Sequence, residues 1–472
     1  MFKLLDALPS TATGLDNIPA WYLRIGAPFF SAPISAMMNL SMSTSIVPKQ
    51  WKVASIVPVA KTPTPLCHSD YRPISITPIL SRLMERVVVT DYIYPSFLSP
   101  PQNLSFLDQF AFQPTASTTV ALIHLLHTIT TLLDTNHFVI VYALDFSKAF
   151  DSVRHSALLD KYLQLEIPDN IYNWIESFFR DHSHCTKFGN EVSNFRKIMA
   201  SIIQGSGIGP ASYVVTALDL HPVTSGNSMD KYADDTYLIV PEANPDSCAT
   251  EIAHIEDWAL DNNLRLNRTK SVEIVFVSPR SKRAIVIPPP AVPGFARVEM
   301  IKALGVTISR RFSVAQHVDA ILAGCAQTLF ALRTLRQHGM PTCALRTVFQ
   351  ATVVIKLSFA VSAWWGFASA ADRGRLEAFL RRSASFGYRE PTAPSLACLC
   401  EQADEKLFNK ILCNNNHLLR PLLPPDRSQH YSLRRRRHNL QLPTRTSALK
   451  DNNFLIRMLF KDSYSSQSST AM

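Results

Sequence analysis

The eight cysteines of this 472-residue chain include no C-x-x-C pair. That argues against a zinc site or a disulfide framework and fits a reducing compartment. Cys398 and Cys400, one residue apart, are too close for an ordinary zinc knuckle and read as core. The opening "MFKLLDALPSTATG" lacks the apolar segment of about 7–15 residues that a secretory signal needs, so none is expected. The longest apolar stretch, residues 351–371, is interrupted by Lys356 and diluted by Ser358, Ser362 and Gly366. It reads as a buried helix rather than a membrane span. No internal repeat is evident. "QGSGIGP" (204–210) lacks the Gly-Lys-Ser/Thr ending of a Walker loop, and Gly205, Gly207 and Gly209 do not make the G-x-G-x-x-G dinucleotide fingerprint.

The chain is 47% hydrophobic and 18% charged, which suits a packed protein of two or three domains or one multilobed enzyme. Its formal net charge of +10 favours a polyanionic partner. Charge alone does not separate nucleic acid from a membrane surface.

Residues 51–61 read as a strand ending at a lysine, 61–75 as a proline-rich turn, and 79–93 as a helix. Residues 115–133 have apolar positions at helical spacing, with Ser117 or Thr118 as N-cap. "HFVIVYALDF" (137–146) is a nearly unbroken β-branched and apolar run, so a strand buried on both faces is expected. An amphipathic helix follows, with Val153, Leu158, Tyr162 and Leu165 on one face. Residues 249–267 predict a helix, 271–277 a strand, 288–294 a turn or linker, and the chain from about 314 is mainly helical. "LRRRRHNL" (433–440) is a basic run, and the last ten residues read as a disordered tail. Strands alternating with helices, then helices alone, predict an α+β body followed by a helical domain.

"KYADDTYLIV" (231–240) places Asp234 and Asp235 inside a strand-like run. Two adjacent carboxylates repel by on the order of 4 kcal/mol at ~4 Å and an effective dielectric of ~20. The pair fits either a hairpin tip, where aspartates bond the local backbone, or a divalent-cation site that turns repulsion into binding. The second reading needs another carboxylate, and Asp145 at the end of the buried run 137–146 supplies one. If the two strands pair, about 4.8 Å apart, the carboxylates can share cations. Strand alternation makes Asp234 and Asp145 the expected direct ligands and Asp235 the peripheral one. Two Mg²⁺ ions held there would activate a hydroxyl nucleophile and stabilise a leaving pyrophosphate. Asp151, at the start of the next helix, reads as a cap. In the glycine-rich loop, Pro210 suits a first helical turn. Its glycines fit a flexible turn or close backbone approach to a ligand, with Gln204 presenting an amide.

"ALDFSKAFDSV", "QGSGIGP" and "YADD", followed by "LNRTKS" (266–271) and "LGVTIS" (304–309), resemble in order the reverse transcriptases of non-long-terminal-repeat (LINE-like, jockey-type) retrotransposons. "GLDNIPAWYL", "WKVASIVPVAK" and "YRPISITPILSRLMER" resemble their upstream segments, and "YSLRRRRHNLQLP" and "NFLIRMLFKDSY" their C-terminal region. The resemblance covers nearly the whole chain. It implies a right-handed fold of fingers, palm and helical thumb and an RNA-directed DNA polymerase that extends a DNA primer on an RNA template with deoxynucleoside triphosphates. Asp145, Asp234 and Asp235 would be the palm carboxylates, holding two Mg²⁺ ions, or Mn²⁺ in their place. Lys61 and Arg72 would meet the triphosphate, Phe150 would lie under the sugar, and Gln204 and Gly205 would line the nucleotide pocket. Lys270 would lie near the pyrophosphate. "LGVTIS" would grip the primer, and Arg333, Arg336, Arg346, Arg381 and Arg382 could touch the nucleic-acid backbone. The implied domains are an upstream fingers segment at 1–41, fingers and palm at 42–309, thumb at 310–390 and a basic C-terminal region with its tail at 391–472. An intracellular setting is expected, in a nuclear or cytoplasmic ribonucleoprotein, with no membrane partner.

Two departures stand out. Ile203 precedes Gln204 where the family usually has proline, so a less rigid loop is expected. Full elements also carry an N-terminal endonuclease, and no segment here is long enough to be one, so a truncated copy is expected. The competing function is a catalytically silent remnant that only binds nucleic acid. A phosphodiesterase is disfavoured, because no His or Glu cluster accompanies the aspartates.

Overall fold

The computed structural model describes residues 1–278, 288–427 and 438–461. The arginines of the basic run 433–440 and the expected tail lie outside the described residues. Along the chain the strands are β1 (Val53–Ala60), β2 (Tyr71–Ile76), β3 (Phe138–Leu144), β4 (Ser183–Phe188), β5 (Glu191–Val192), β6 (Arg196–Lys197), β7 (Ser228–Tyr232), β8 (Asp235–Pro241), β9 (Val272–Val277), β10 (Ala296–Val298), β11 (Met300–Ala303) and β12 (Val306–Ser309). With the helices between and after them, the fold is mixed α+β. The chain divides into two compact units, each drawn from several stretches of sequence.

The first unit takes Met1–Pro114, Phe146–His221 and Ile252–Asn267. Its sheet runs β2-β1-β4-β5, with β6 also on β4. β1 and β2 are antiparallel, and Val59 stands opposite Arg72. Helix Asp169–Phe179 supplies much of the core through Trp174, Phe178 and Phe179, all at most 2% exposed. The expected helix after Asp151 is shorter than its apolar pattern, His155–Tyr162, and Val153 precedes it in extended backbone.

The second unit takes Thr115–Asp145, Pro222–Glu251 and Arg268–Met472. Its main sheet runs β10-β9-β3-β8-β7. β3 is central and antiparallel to both neighbours. Val139, Ile140, Val141 and Tyr142 are each at most 1% exposed, as a strand covered on both faces requires. Tyr142 donates to the buried carboxylate of Glu273 at 2.9 Å, which also accepts from Arg297. Helix Thr118–Leu132 begins at Ser117, whose hydroxyl accepts from the Val120 amide. β11 and β12 form a hairpin around Leu304 and Gly305, both at positive φ (46° and 90°). This two-residue turn matches the twist of the strands it joins.

The apolar stretch expected to be one buried helix is broken. It runs through a π-turn at Gln350–Val354, a short helix Ile355–Ser358, and a reversal at Phe359 and Ala360, where φ is +49°. A second short helix, Val361–Trp364, follows the break. By length and composition alone, Ala315–Gln337 and Thr342–Phe367 would suffice to cross a membrane. Here Val353, Leu357, Ala363 and Trp364 are buried within the unit.

The C-terminal segment is built into the same unit. Asn453 donates to Thr130 of helix Thr118–Leu132 at 2.5 Å, and Lys450 pairs with Asp134 at 2.7 Å. Phe454, 1% exposed, meets the ring of Phe408 at 6.5 Å. Phe454→Ala should therefore cost about 3–5 kcal/mol and lower the melting temperature by on the order of 10 °C. An unchanged melting temperature would show that this segment is an appendage rather than core.

Candidate active site

The carboxylates meet at one end of the second unit's sheet. The β3–β8 register pairs Leu144 with Thr236. One further step along it sets Asp145 opposite Asp235. Asp234 is not on a strand: it forms the β7–β8 turn with Ala233, whose φ is +56°. The alternation argument for direct and peripheral ligands therefore does not apply to Asp234, and the hairpin-tip placement holds together with the strand pairing. The Asp145 amide donates to the Ser271 hydroxyl at 3.0 Å, tying the end of β3 to the start of β9. Lys270, exposed, immediately precedes that serine.

Two of the three carboxyl groups, those of Asp234 and Asp235, feel the charge of Asp145. Burial raises the Asp234 carboxyl above the usual range, and the charge of Asp145 raises it further. Asp235 is exposed as a residue, yet protein crowds its carboxyl end. That desolvation, then the charges of Asp234 and Asp145, push it up to about 6. A divalent cation would remove the cause of the repulsion, and three hard oxygen donors suit Mg²⁺ or Mn²⁺. Among the described residues no group of three His, Cys, Asp or Glu side chains is placed, as it stands, to hold a metal ion. The donors fit in kind and charge.

The first unit holds Lys61, Arg72, Phe150, Gln204 and Gly205. The Lys61 ammonium donates to the Ser69 carbonyl at 2.8 Å, and its amide donates to the Asp70 carbonyl at 2.7 Å. Lys61 and the exposed Arg72 share one face of the β1–β2 hairpin, because Lys61 lies two residues beyond Val59, the partner of Arg72. Phe150, half-buried, stacks on Tyr213 with centroids 4.4 Å apart and planes at 19°. The Gln204 amide is not free: it donates to Asp151 at 2.8 Å. This corrects the cap assigned to Asp151. It is the third residue of a four-residue helix whose N-cap is Lys148, and its carboxylate holds Gln204. Burial raises that carboxyl, opposed by the Gln204 bond and then by Lys148 and Lys61.

The glycine-rich loop is held by backbone. The Ser75 amide of β2 donates to the Gln204 carbonyl at 2.6 Å. Gly205 has φ +113°, and a Cβ there would stand 2.3 Å from the Ser75 carbonyl oxygen. Its backbone thus lies close against that of β2. Pro210 occupies the first turn of helix Gly209–Thr216, as expected.

Glu85 was missed by sequence reasoning. It is fully buried in helix Ile79–Val88, accepts from Ser81 at 2.7 Å and from the Ile208 amide at 3.1 Å, and bonds the Gly207 amide. Burial raises its carboxyl, and these bonds oppose the rise. The loop is thus tied to β2 on one side and to Glu85 on the other, although Ile203 replaces proline. The available signal was the Ser81/Glu85 spacing of i, i+4 beside Leu83, Met84 and Val88.

Of the five arginines expected to touch nucleic acid, Arg333, Arg381 and Arg382 are exposed. Arg336 donates to the Phe386 carbonyl at 2.7 Å and lies over Tyr388, and Arg346 pairs with Glu390.

The model of the reverse transcriptase (RNA-dependent DNA polymerase) family matches residues 59–308. A probable RNA-directed DNA polymerase from transposon BS of Drosophila melanogaster is 25% identical over 417 residues, covering 81% of this chain and 43% of the relative. The RNA-directed DNA polymerase from mobile element jockey of the same fly is 26% identical over 310 residues, covering 61% and 32%. A probable RNA-directed DNA polymerase from its transposon X-element is 28% identical over 301 residues, again covering 61% and 32%. The chain spans less than half the length of these curated relatives. Because the family match takes in more than half of the 472 residues, with the paired strands β3 and β8 inside it, the chain belongs to the reverse transcriptase family.

Proposed function

We propose that the chain is an RNA-directed DNA polymerase of a mobile element, extending a DNA primer on an RNA template by nucleotidyl transfer. The observation that carries this reading is the convergence of Asp145, Asp234 and Asp235 at the end of two paired strands, where the charge of Asp145 adds to burial in raising the carboxyls of Asp234 and Asp235. Two Mg²⁺ ions held by these aspartates would supply the charge that activates the primer hydroxyl and neutralises the triphosphate. The rest of the task is positioning and positive charge. Lys61 and Arg72 are assigned to the triphosphate, Arg by its fixed fork and Lys as a point charge. Gln204, oriented by Asp151, and Gly205 are assigned to the nucleotide pocket, Phe150 to the sugar, and Lys270 to the departing pyrophosphate. In this reading the β3-centred sheet is the palm, the β1–β2 hairpin belongs to the fingers, and the helices from Ala315 form the thumb.

Asp234→Asn should abolish Mg²⁺-dependent primer extension on RNA while leaving primer–template affinity within about twofold. Equal activity of variant and parent would remove the metal assignment.

The Asp235 carboxyl gives a second test. Its folded-state pKa of about 6 lies above that of an unfolded aspartate. The folded state therefore binds this proton more tightly, and the stability it contributes is lost as pH rises through about 6. In chelator, Asp235→Asn should be more stable than the parent at pH 7.5, and the difference should vanish as pH falls toward 4. Millimolar Mg²⁺ should narrow the difference at pH 7.5. A gap independent of both pH and Mg²⁺ would contradict the charge account.

Phe150→Val separates a barrier to ribonucleotides from a packing role. A ring under the sugar leaves the 2′-hydroxyl no room and no hydrogen bond, a cost of roughly 1–3 kcal/mol before any clash. The variant should gain ribonucleotide incorporation about tenfold relative to deoxynucleotide incorporation. Since Phe150 also stacks on Tyr213, a few degrees of melting temperature should be lost. Loss of stability with unchanged sugar discrimination would leave only the packing role.

A further inference from the structure

Helix Leu396–Cys413 carries Lys406 and Lys410 four residues apart, on one face and both exposed. Neither ammonium has an ion-pair or hydrogen-bond partner among the described residues. They border a hollow of about 220 Å³ that is also lined by Ser117, Thr119, Ser358 and Ser362. No aspartate or glutamate lines it. Ser117 caps the fifteen-residue helix Thr118–Leu132, so the amide end of that helix, with its partial positive charge, lies at the same place.

The hydroxyls are not equivalent. Ser117 is committed to the Val120 amide and Ser358 to the Val354 carbonyl. Ser362 is 3% exposed, lines the hollow, and has no partner for its hydroxyl among the described residues. Two like charges at this spacing destabilise a helix, and the Ser362 hydroxyl opens onto the hollow beside them. An anion carrying acceptor oxygens relieves the first and accepts from the second. The two lysines are separated by a rise of about 6 Å, comparable to the distance between successive phosphates of one strand. A lone phosphate would need them to converge on a point.

We propose that this hollow binds two neighbouring backbone phosphates of a single nucleic-acid strand. Lys406 and Lys410 each meet one phosphate, and Ser362 and Thr119 donate hydroxyl hydrogen bonds to the oxygens. None of these residues belongs to the carboxylate set or to the nucleotide-facing set, so the site adds a strand contact that polymerisation does not itself require.

The test is fluorescence anisotropy of the full chain with a labelled 20-nucleotide RNA across a salt series. Chelator is present and nucleotides are absent, so the result does not depend on catalysis. Lys406→Gln/Lys410→Gln should weaken binding about tenfold near 0.1 M salt. It should also reduce the steepness of log K against log salt by about 1.4, two contacts at ~0.7 each. Lys49→Gln/Lys187→Gln removes the same charge at exposed positions outside the hollow and should change binding less than threefold. Ser362→Ala should weaken binding about threefold with the salt slope unchanged, since no charge is lost. Equal losses in the two double variants would overturn the site in favour of net charge alone. Inorganic phosphate should compete no better than chloride at equal ionic strength. Competition by phosphate that requires Lys406 and Lys410, with RNA affinity unaffected by their loss, would identify a free-anion site and overturn the strand assignment.

Discussion

The antiparallel pairing of β3 with β8 is the constraint on which the candidate active site depends. Six residue pairs, from Val139–Pro241 to Leu144–Thr236, set one register. A slip of one residue would turn every side chain of a strand to the other face and separate Asp145 from the Asp234-Asp235 turn. The register brings like charges together, which adds to burial in raising the carboxyls of Asp234 and Asp235. Burial of β3 offsets this. Val139, Ile140 and Val141 are at most 1% exposed, and each fully buried aliphatic side chain contributes about 1.5–3 kcal/mol. The sheet can hold a repulsive end because its middle is apolar.

The glycine-rich loop is held by a different economy of forces. It has few side chains to pack, so its position is fixed by hydrogen bonds to backbone. Ser75 takes the Gln204 carbonyl, and Glu85 takes the amides of Gly207 and Ile208. A buried carboxylate is expensive unless its lone pairs are used. Here a hydroxyl and two amides use them, which places the cost of burying Glu85 in the service of loop geometry. Gly205 completes the arrangement because any side chain at φ +113° would strike the carbonyl of Ser75. The same logic governs Glu273, buried between Tyr142 and Arg297.

The second unit draws β3, β8 and the last helices into one compact body. Its C-terminal segment is joined to helix Thr118–Leu132 through Asn453 and Lys450. Chain ends can be integral when they bury an apolar face, and Phe454, Leu455, Met458 and Leu459 do so.

Several features were determined by the sequence itself, through short-range physics. The run 137–146 could only be a doubly covered strand, Ser117 was a ready N-cap, and Pro210 suited a helix start. Aspartates at the end of one apolar run and inside another marked a site because strands reject such residues without compensation. Order of motifs identified the family. Tertiary structure alone decided what depends on partners far along the chain. Asp151 read as a cap because caps are local, but its carboxylate found Gln204, 53 residues away. Glu85 drew no notice within the helix expected at 79–93, and its partner Ile208 lies 123 residues on. The apolar stretch after Gln350 had the composition of one helix and was broken at Ala360. Local periodicity reports which face is apolar; which backbone groups and charges it will meet is set only when distant segments pack.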